Sequence, residues 1–158
     1  MMTKARLAVA LATWGGVGYF PVAPGTMGSL AAAAVGWLLV EYAGMPAWGF
    51  FPLALALFVP AAWSATETER ANRAHDPGYV VIDEVVGQWF ALAAIRPERW
   101  SDWLLAVLLF RLFDITKPPP IRRLEQLPAG WGVVADDAGA GLCAMMVLGA
   151  YRWLIASA

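Results

Sequence analysis

Two long stretches of this chain carry no charge, and they decide what it can fold into. Residues 7–40 contain no Asp, Glu, Lys, Arg or His, and neither do residues 42–66. Each run exceeds the roughly 20 apolar residues that a helix needs to cross the hydrocarbon core of a bilayer. Within lipid, helix is the conformation that satisfies every backbone polar group inside one segment. Composition agrees: 60% of residues are hydrophobic, 15% are charged, and the mean hydropathy is +0.59. Soluble domains run near 45–50% apolar and about 25% charged. The expected fold is therefore all-α, an integral membrane helical bundle forming a single domain over residues 1–158.

Several function classes drop out at once. Eleven Lys and Arg against twelve Asp and Glu leave a net charge of −1, so no basic field invites nucleic acid. One cysteine, Cys143, excludes an internal disulfide framework, and one histidine, His75, excludes zinc sites built on several imidazoles.

The first charge-free run cannot be one helix, because Pro21, Pro24 and Gly25 interrupt it. It divides into a short piece, residues 7–20, and a span over about residues 28–43. Further spans are expected over residues 46–63, 79–95, 101–115 and 133–156, with a polar extension over 64–75 and a proline-rich polar loop over 117–130. The prediction is about five transmembrane helices plus a re-entrant or interfacial N-terminal segment. Lys4 and Arg6 ahead of that segment also fit the start of a secretory leader, but the apolar character continues well past any plausible cleavage point. Threading the spans alternately puts eight basic residues on one side (Lys4, Arg6, Arg70, Arg73, Arg111, Lys117, Arg122, Arg123) and three on the other (Arg96, Arg99, Arg152). The positive-inside rule makes the first side cytoplasmic.

Alternation also brings four unusual clusters to that cytoplasmic edge: residues 23–30, Asp83-Glu84, Arg111 to Lys117, and Asp136-Asp137. A carboxylate at the membrane centre costs about 2.5–3.5 kcal/mol on insertion scales. Two like charges 4 Å apart at an effective dielectric constant of 20 repel by about 4 kcal/mol. Adjacent acidic pairs thus need protons or a cation, and an all-oxygen donor set suits Mg²⁺. Arg111 and Asp114 are spaced to share a helix face, and Pro118 biases Lys117 out of helical geometry. Gly87, Gly139 and Gly141 lie about one turn beyond the acidic pairs, where small residues let helices approach closely. Residues 23–29, Ala-Pro-Gly-Thr-Met-Gly-Ser, read as a turn opening a helix. Its free N–H groups and positive dipole end suit a phosphate, with the hydroxyls of Thr26 and Ser29 as further donors. Carboxylates, a cation and anion donors at a membrane surface are the components of phosphoryl chemistry. A soluble phosphate would not need so many membrane segments, which points to a lipid phosphate as the substrate.

Four ordered blocks then resemble the phosphatidylglycerophosphatase A family. They are Pro24-Gly25-Thr26-Met27-Gly28-Ser29-Leu30; His75-Asp76 with Val81-Ile82-Asp83-Glu84 and Gly87; Phe110-Arg111 with Asp114, Lys117-Pro118 and Pro120-Ile121; and Gly132 with Asp136-Asp137 and Ala140-Gly141. The resemblance implies a Mg²⁺-dependent phosphatase of the bacterial cytoplasmic (inner) membrane, acting at its cytoplasmic face on phosphatidylglycerophosphate. On that reading Asp83, Glu84, Asp136 and Asp137 hold the metal, while Thr26, Ser29, Arg111 and Lys117 bind the substrate phosphate. Proton transfers fall to carboxylates such as Asp83 and Asp137 and to His75. Asp114 stays open between metal ligand, partner of Arg111 and covalent nucleophile. The alternatives are a divalent-cation or proton-coupled transporter, and a lipid phosphotransferase. A homo-oligomer is left open.

Overall fold

The computed structural model describes residues 4–73 and 76–157, and every regular element among them is helical. The α-helices are α1 (Lys4–Ala12), α2 (Pro24–Ala43), α3 (Phe50–Asn72), α4 (Ile82–Leu92), α5 (Trp100–Thr116), α6 (Ile121–Leu124) and α7 (Gly130–Ala156). Single turns of 3₁₀-helix, Val17–Tyr19 and Ala47–Gly49, precede α2 and α3.

Local chemistry sets several boundaries. Pro24 occupies the first turn of α2, where its missing N–H costs nothing. Gly44 ends that helix in the left-handed conformation and donates its N–H to Leu39 O. Trp14, Gly15 and Gly16 all have positive φ and reverse the chain after α1. That nine-residue helix is about 13 Å long, far short of a crossing. It is pinned at both ends: Lys4 pairs with Glu67 at 3.4 Å, and the Val81 N–H donates to Ala12 O at 2.8 Å.

Three segments are long and apolar enough to cross a membrane: Pro24–Ala43, Ala47–Asn72 and Gly130–Ala156. The other two expected spans are shorter. α5 has 17 residues, about 25 Å, and α4 has 11, about 16 Å. The apolar run over 79–95 reaches helical geometry only at Ile82, and beyond Leu92 it tightens into i→i+3 turns at Ala93, Ala94 and Ile95. Packing explains why so short a helix suffices. α4 is enclosed by α2, α3, α5 and α7, and every one of its residues except Glu84 is buried. A helix apolar on nearly all sides belongs in an interior, and one walled off from lipid has no need to match the bilayer thickness.

The helices alternate in direction. The Gly130 N–H at the start of α7 meets Thr66 Oγ1 late in α3 at 3.2 Å, and Arg111 late in α5 meets Glu84 at the start of α4. At the other end, the rings of Phe50 and Trp103 pack edge to face at 6.3 Å, joining the starts of α3 and α5. The starts of α2, α4 and α7 therefore share one end of the bundle with the ends of α3 and α5. All four clusters picked out in the sequence lie at that end.

Candidate active site

Asp83 and Glu84 occupy the first turn of α4. No side chain caps this helix, so its exposed N–H dipoles favour the two negative charges. Asp137 arrives from α7 because glycine allows the two backbones to close. A Cβ added to Gly141 would overlap the carbonyl oxygen of Gly87, and one added to Gly87 would lie 2.6 Å from Asp137 O. Carboxylate oxygens of Asp83, Glu84 and Asp137 consequently lie within 4.8 Å of one another. One oxygen of each (Asp83 Oδ1, Glu84 Oε2, Asp137 Oδ2) is buried with no hydrogen-bond partner among the described residues. Buried anionic oxygens without donors are costly, and three converging carboxylates that each carry one make a ready set of hard ligands for a small divalent cation.

Asp136, grouped with those three in the sequence, is placed differently. Its Oδ2 accepts from Lys117 Nζ at 2.5 Å, and its Oδ1 accepts from the Asp137 N–H at 3.0 Å. Lys117 ends α5, as the following Pro118 implies, but in the left-handed conformation, φ 40° and ψ 58°, rather than the extended geometry a following proline favours. Burial works against the Lys117 charge, but the hydrogen bond and charge of Asp136 outweigh it and raise the ammonium above its usual range.

Arg111 extends over the same cluster. Its Nη1 lies 2.6 Å from Asp114 Oδ2 and 3.7 Å from Glu84 Oε1, while its Nε has no hydrogen-bond partner among the described residues. The first turn of α2 packs directly on this pair. A Cβ on Gly25 would land on Glu84 Oε1 and 3.2 Å from Arg111 Nη1. The helix start thus reaches the acidic cluster as its sequence suggested. Its hydroxyls are less engaged: Ser29 is buried and donates to Gly25 O at 3.0 Å, and neither Thr26 nor Ser29 lines the acidic cavity. His75 lies outside the described residues.

The cavity itself measures about 130 Å³ and is walled by Asp76, Asp83, Glu84, Asp114, Lys117, Glu125, Asp136 and Asp137, with Gly78, Val80 and Val133. Seven carboxylates against one ammonium would repel a phosphate unless a cation entered with it. Asp76 and Glu125 are the members that sequence reasoning missed. Asp76 stood within the second block, beside His75, and was passed over. Glu125 sits in the polar loop among Arg122 and Arg123, and nothing in its spacing sets it apart from a solvated loop residue.

With this geometry in place, comparison with known proteins is informative. The sequence profile described as phosphatidylglycerophosphatase A matches residues 10–152, a range that contains every described residue of the cluster. The chain belongs to the phosphatidylglycerophosphatase A family. Two relatives bearing that name come from Haemophilus influenzae, 37% identical over 92% of this chain and 89% of its own, and from Escherichia coli, 34% identical over 87% and 79%. A third, from Bacteroides thetaiotaomicron, is 36% identical over 98% of this chain and 99% of its own, and is provisionally named phosphatidylinositol-3-phosphatase. No solved structure shows a significant match.

Proposed function

We propose that this protein hydrolyses the terminal phosphate monoester of phosphatidylglycerophosphate, with Mg²⁺, releasing phosphatidylglycerol and inorganic phosphate. Family membership supports the reaction class. The observation that carries the chemistry is the convergence of three carboxylates, each with a buried unpartnered oxygen, beside Lys117 on the cavity wall and Arg111, which pairs with Glu84.

Asp83, Glu84 and Asp137 would hold the metal. When bound, Mg²⁺ supplies positive charge to offset that of the substrate phosphate and acidity to a water near it. The chain's own residues do the rest. Lys117 and Arg111 neutralise phosphate oxygens, Arg111 through the Nε donor it has not yet used. The α2 N-terminus adds backbone N–H groups from one side. Asp114 lies on the cavity wall outside the three-carboxylate set, and is the group assigned to take the proton of the attacking water. The bond from that water's oxygen to phosphorus forms as the bond to the lipid glycerol oxygen breaks. The departing oxygen then needs a proton, and Asp76 on the cavity wall is the group assigned to supply it.

The finer membrane reading belongs to the same proposal. Five segments cross, α5 with its flanking turns and α4 inside a sheath of the others, and the acidic cavity faces the cytoplasm of a bacterial inner membrane. A transport path is poorly supported, since α7 carries no charged side chain between Asp137 and Arg152.

Phosphate release by purified protein from phosphatidylglycerophosphate, with Mg²⁺ and then with EDTA, tests the proposal. Release that stops in EDTA and returns with Mg²⁺ is expected. Equal turnover in EDTA would overturn the metal assignment, and a trapped phosphoenzyme would overturn the role given to Asp114.

A further inference from the structure

A second polar cluster lies at the opposite end of the bundle and takes no part in this chemistry. Asp102, in the first turn of α5, is fully buried. It accepts three hydrogen bonds from Arg96: from the backbone N–H at 2.9 Å, from Nε at 2.9 Å and from Nη2 at 3.1 Å. Near the end of α7, Arg152 Nη1 donates to the carbonyl oxygens of Ala94 and, at 3.2 Å, Ile95, just beyond the C-terminus of α4. Cations at that helix end complement both the orphan carbonyls and the dipole.

Asp102 and Glu98 both act on the Arg96 charge, but the groove wall itself carries two guanidinium groups and no carboxylate. Arg96 Nη1 and Arg152 Nε and Nη2 form no hydrogen bond among the described residues. Both arginines line one open groove of about 400 Å³ with Gly149, Trp153 and Ala156. The groove floor is clear, because a Cβ on Gly149 would meet nothing within 4 Å. Arg152 lies fifteen positions beyond Asp137 along α7, a rise of about 22 Å. With the acidic cavity under one headgroup layer, the groove approaches the other. A free arginine at this depth would simply extend to water. Arg152 is instead turned inward by two carbonyls, which fixes where its unused donors point. Trp153, 69% exposed beside it, has the amphipathic ring that settles at a headgroup boundary.

We propose that this groove binds an anionic phospholipid of the leaflet opposite the acidic cavity. Its phosphate would sit between Arg96 and Arg152, a geometry suited to forked guanidinium recognition, and an acyl chain would lie along α7 past Gly149. The inference rests on the membrane-embedded reading of the bundle and is independent of the phosphatase chemistry.

Native mass spectrometry of the full chain in detergent, titrated with phosphatidylglycerol or phosphatidylcholine of identical acyl chains, tests it. The wild-type chain should retain phosphatidylglycerol more tightly. Gly149→Trp fills the groove, and Ala156→Glu places a negative charge at its rim on the exposed last residue of α7, away from the buried core. Each should weaken phosphatidylglycerol binding at least tenfold while leaving phosphatidylcholine binding and phosphate release unchanged. Equal retention of the two lipids by wild type, or undiminished phosphatidylglycerol binding in both variants, would overturn the site. A wild-type chain that binds the lipid as expected but releases no phosphate would overturn the proposed function and leave this site standing.

Discussion

Asp136 and Asp137 are neighbours in sequence, yet their surroundings assign opposite signs to the same substitution. Asp137 shares its cluster with two other carboxylates, all within 4.8 Å. At that distance and an effective dielectric constant of 20, each like-charge pair repels by about 3.5 kcal/mol. Replacing Asp137 by Asn removes two such pairs. That figure holds with all three carboxylates charged, since a proton on any of them removes its pairs. Even a residual gain of about 1 kcal/mol should raise the melting temperature by roughly 2–4 °C in a chain of this size. Asp136, in contrast, is 2% exposed and bound to Lys117. Asp136→Asn gives up the charge of that pair. Lys117 keeps 31% of its side-chain surface exposed and can be solvated in part, so the loss should be about 1–2 kcal/mol, below the ~3–5 kcal/mol of a fully buried pair.

The assay is thermal unfolding of purified protein in detergent, in EDTA and then with Mg²⁺. In EDTA, Asp137→Asn should melt above wild type and Asp136→Asn below it. A cation at 100 times its dissociation constant stabilises by about 2.7 kcal/mol, or roughly 5–11 °C on the same scale. That increment should appear in wild type and Asp136→Asn and vanish in Asp137→Asn, which should also lose phosphate release. An Asp137→Asn protein that melts lower in EDTA and still gains the full Mg²⁺ increment would refute the division of roles.

Three further outcomes follow from the same geometry. Gly141→Ala should cost at least the ~1–3 kcal/mol of ordinary overpacking, since its Cβ meets the Gly87 carbonyl rather than a yielding side chain; loss of the monodisperse peak in size-exclusion chromatography reports it. Ser29→Ala should change phosphate release less than twofold because its hydroxyl serves Gly25 O, whereas Arg111→Lys, which removes the unpartnered Nε donor, should lower kcat/KM by about 10–100-fold, the equivalent of one charge-assisted hydrogen bond. Lys117 is raised in the folded state, so its contribution is complete below its unfolded value of about 10.4 and is lost only as pH climbs past the folded one; the melting difference between wild type and Lys117→Met should stay flat from pH 7 to about 10, and a decline within that window would contradict the Lys117–Asp136 pair.

These tests turn on what a linear sequence can and cannot express. Alternating apolar runs were enough to place the starts of α2, α4 and α7 at one end with the ends of α3 and α5, because consecutive antiparallel helices reverse direction whatever their packing. Pro24 marked the start of α2 and Pro118 the turn at Lys117 for equally local reasons. Crossing length was not legible for α4: its apolar run is long enough to read as a span, but enclosure by four helices freed the helix from the bilayer's dimension. Nor could the acidic residues be sorted. Successive side chains on a helix diverge by about 100°, so Asp136 and Asp137 cannot both face α4, and which one does depends on the rotation of α7 about its axis. That rotation is set where Gly141 meets Gly87, a contact between residues 54 positions apart. The far end was hidden more completely. Asp102 finds Arg96 across a loop with no periodicity to announce it, and Arg152 is held by backbone carbonyls, which every residue possesses and no sequence distinguishes. A charge inside a membrane declares from sequence alone that something must neutralise it, while the identity of that partner is decided by how two helices turn as they close on glycine.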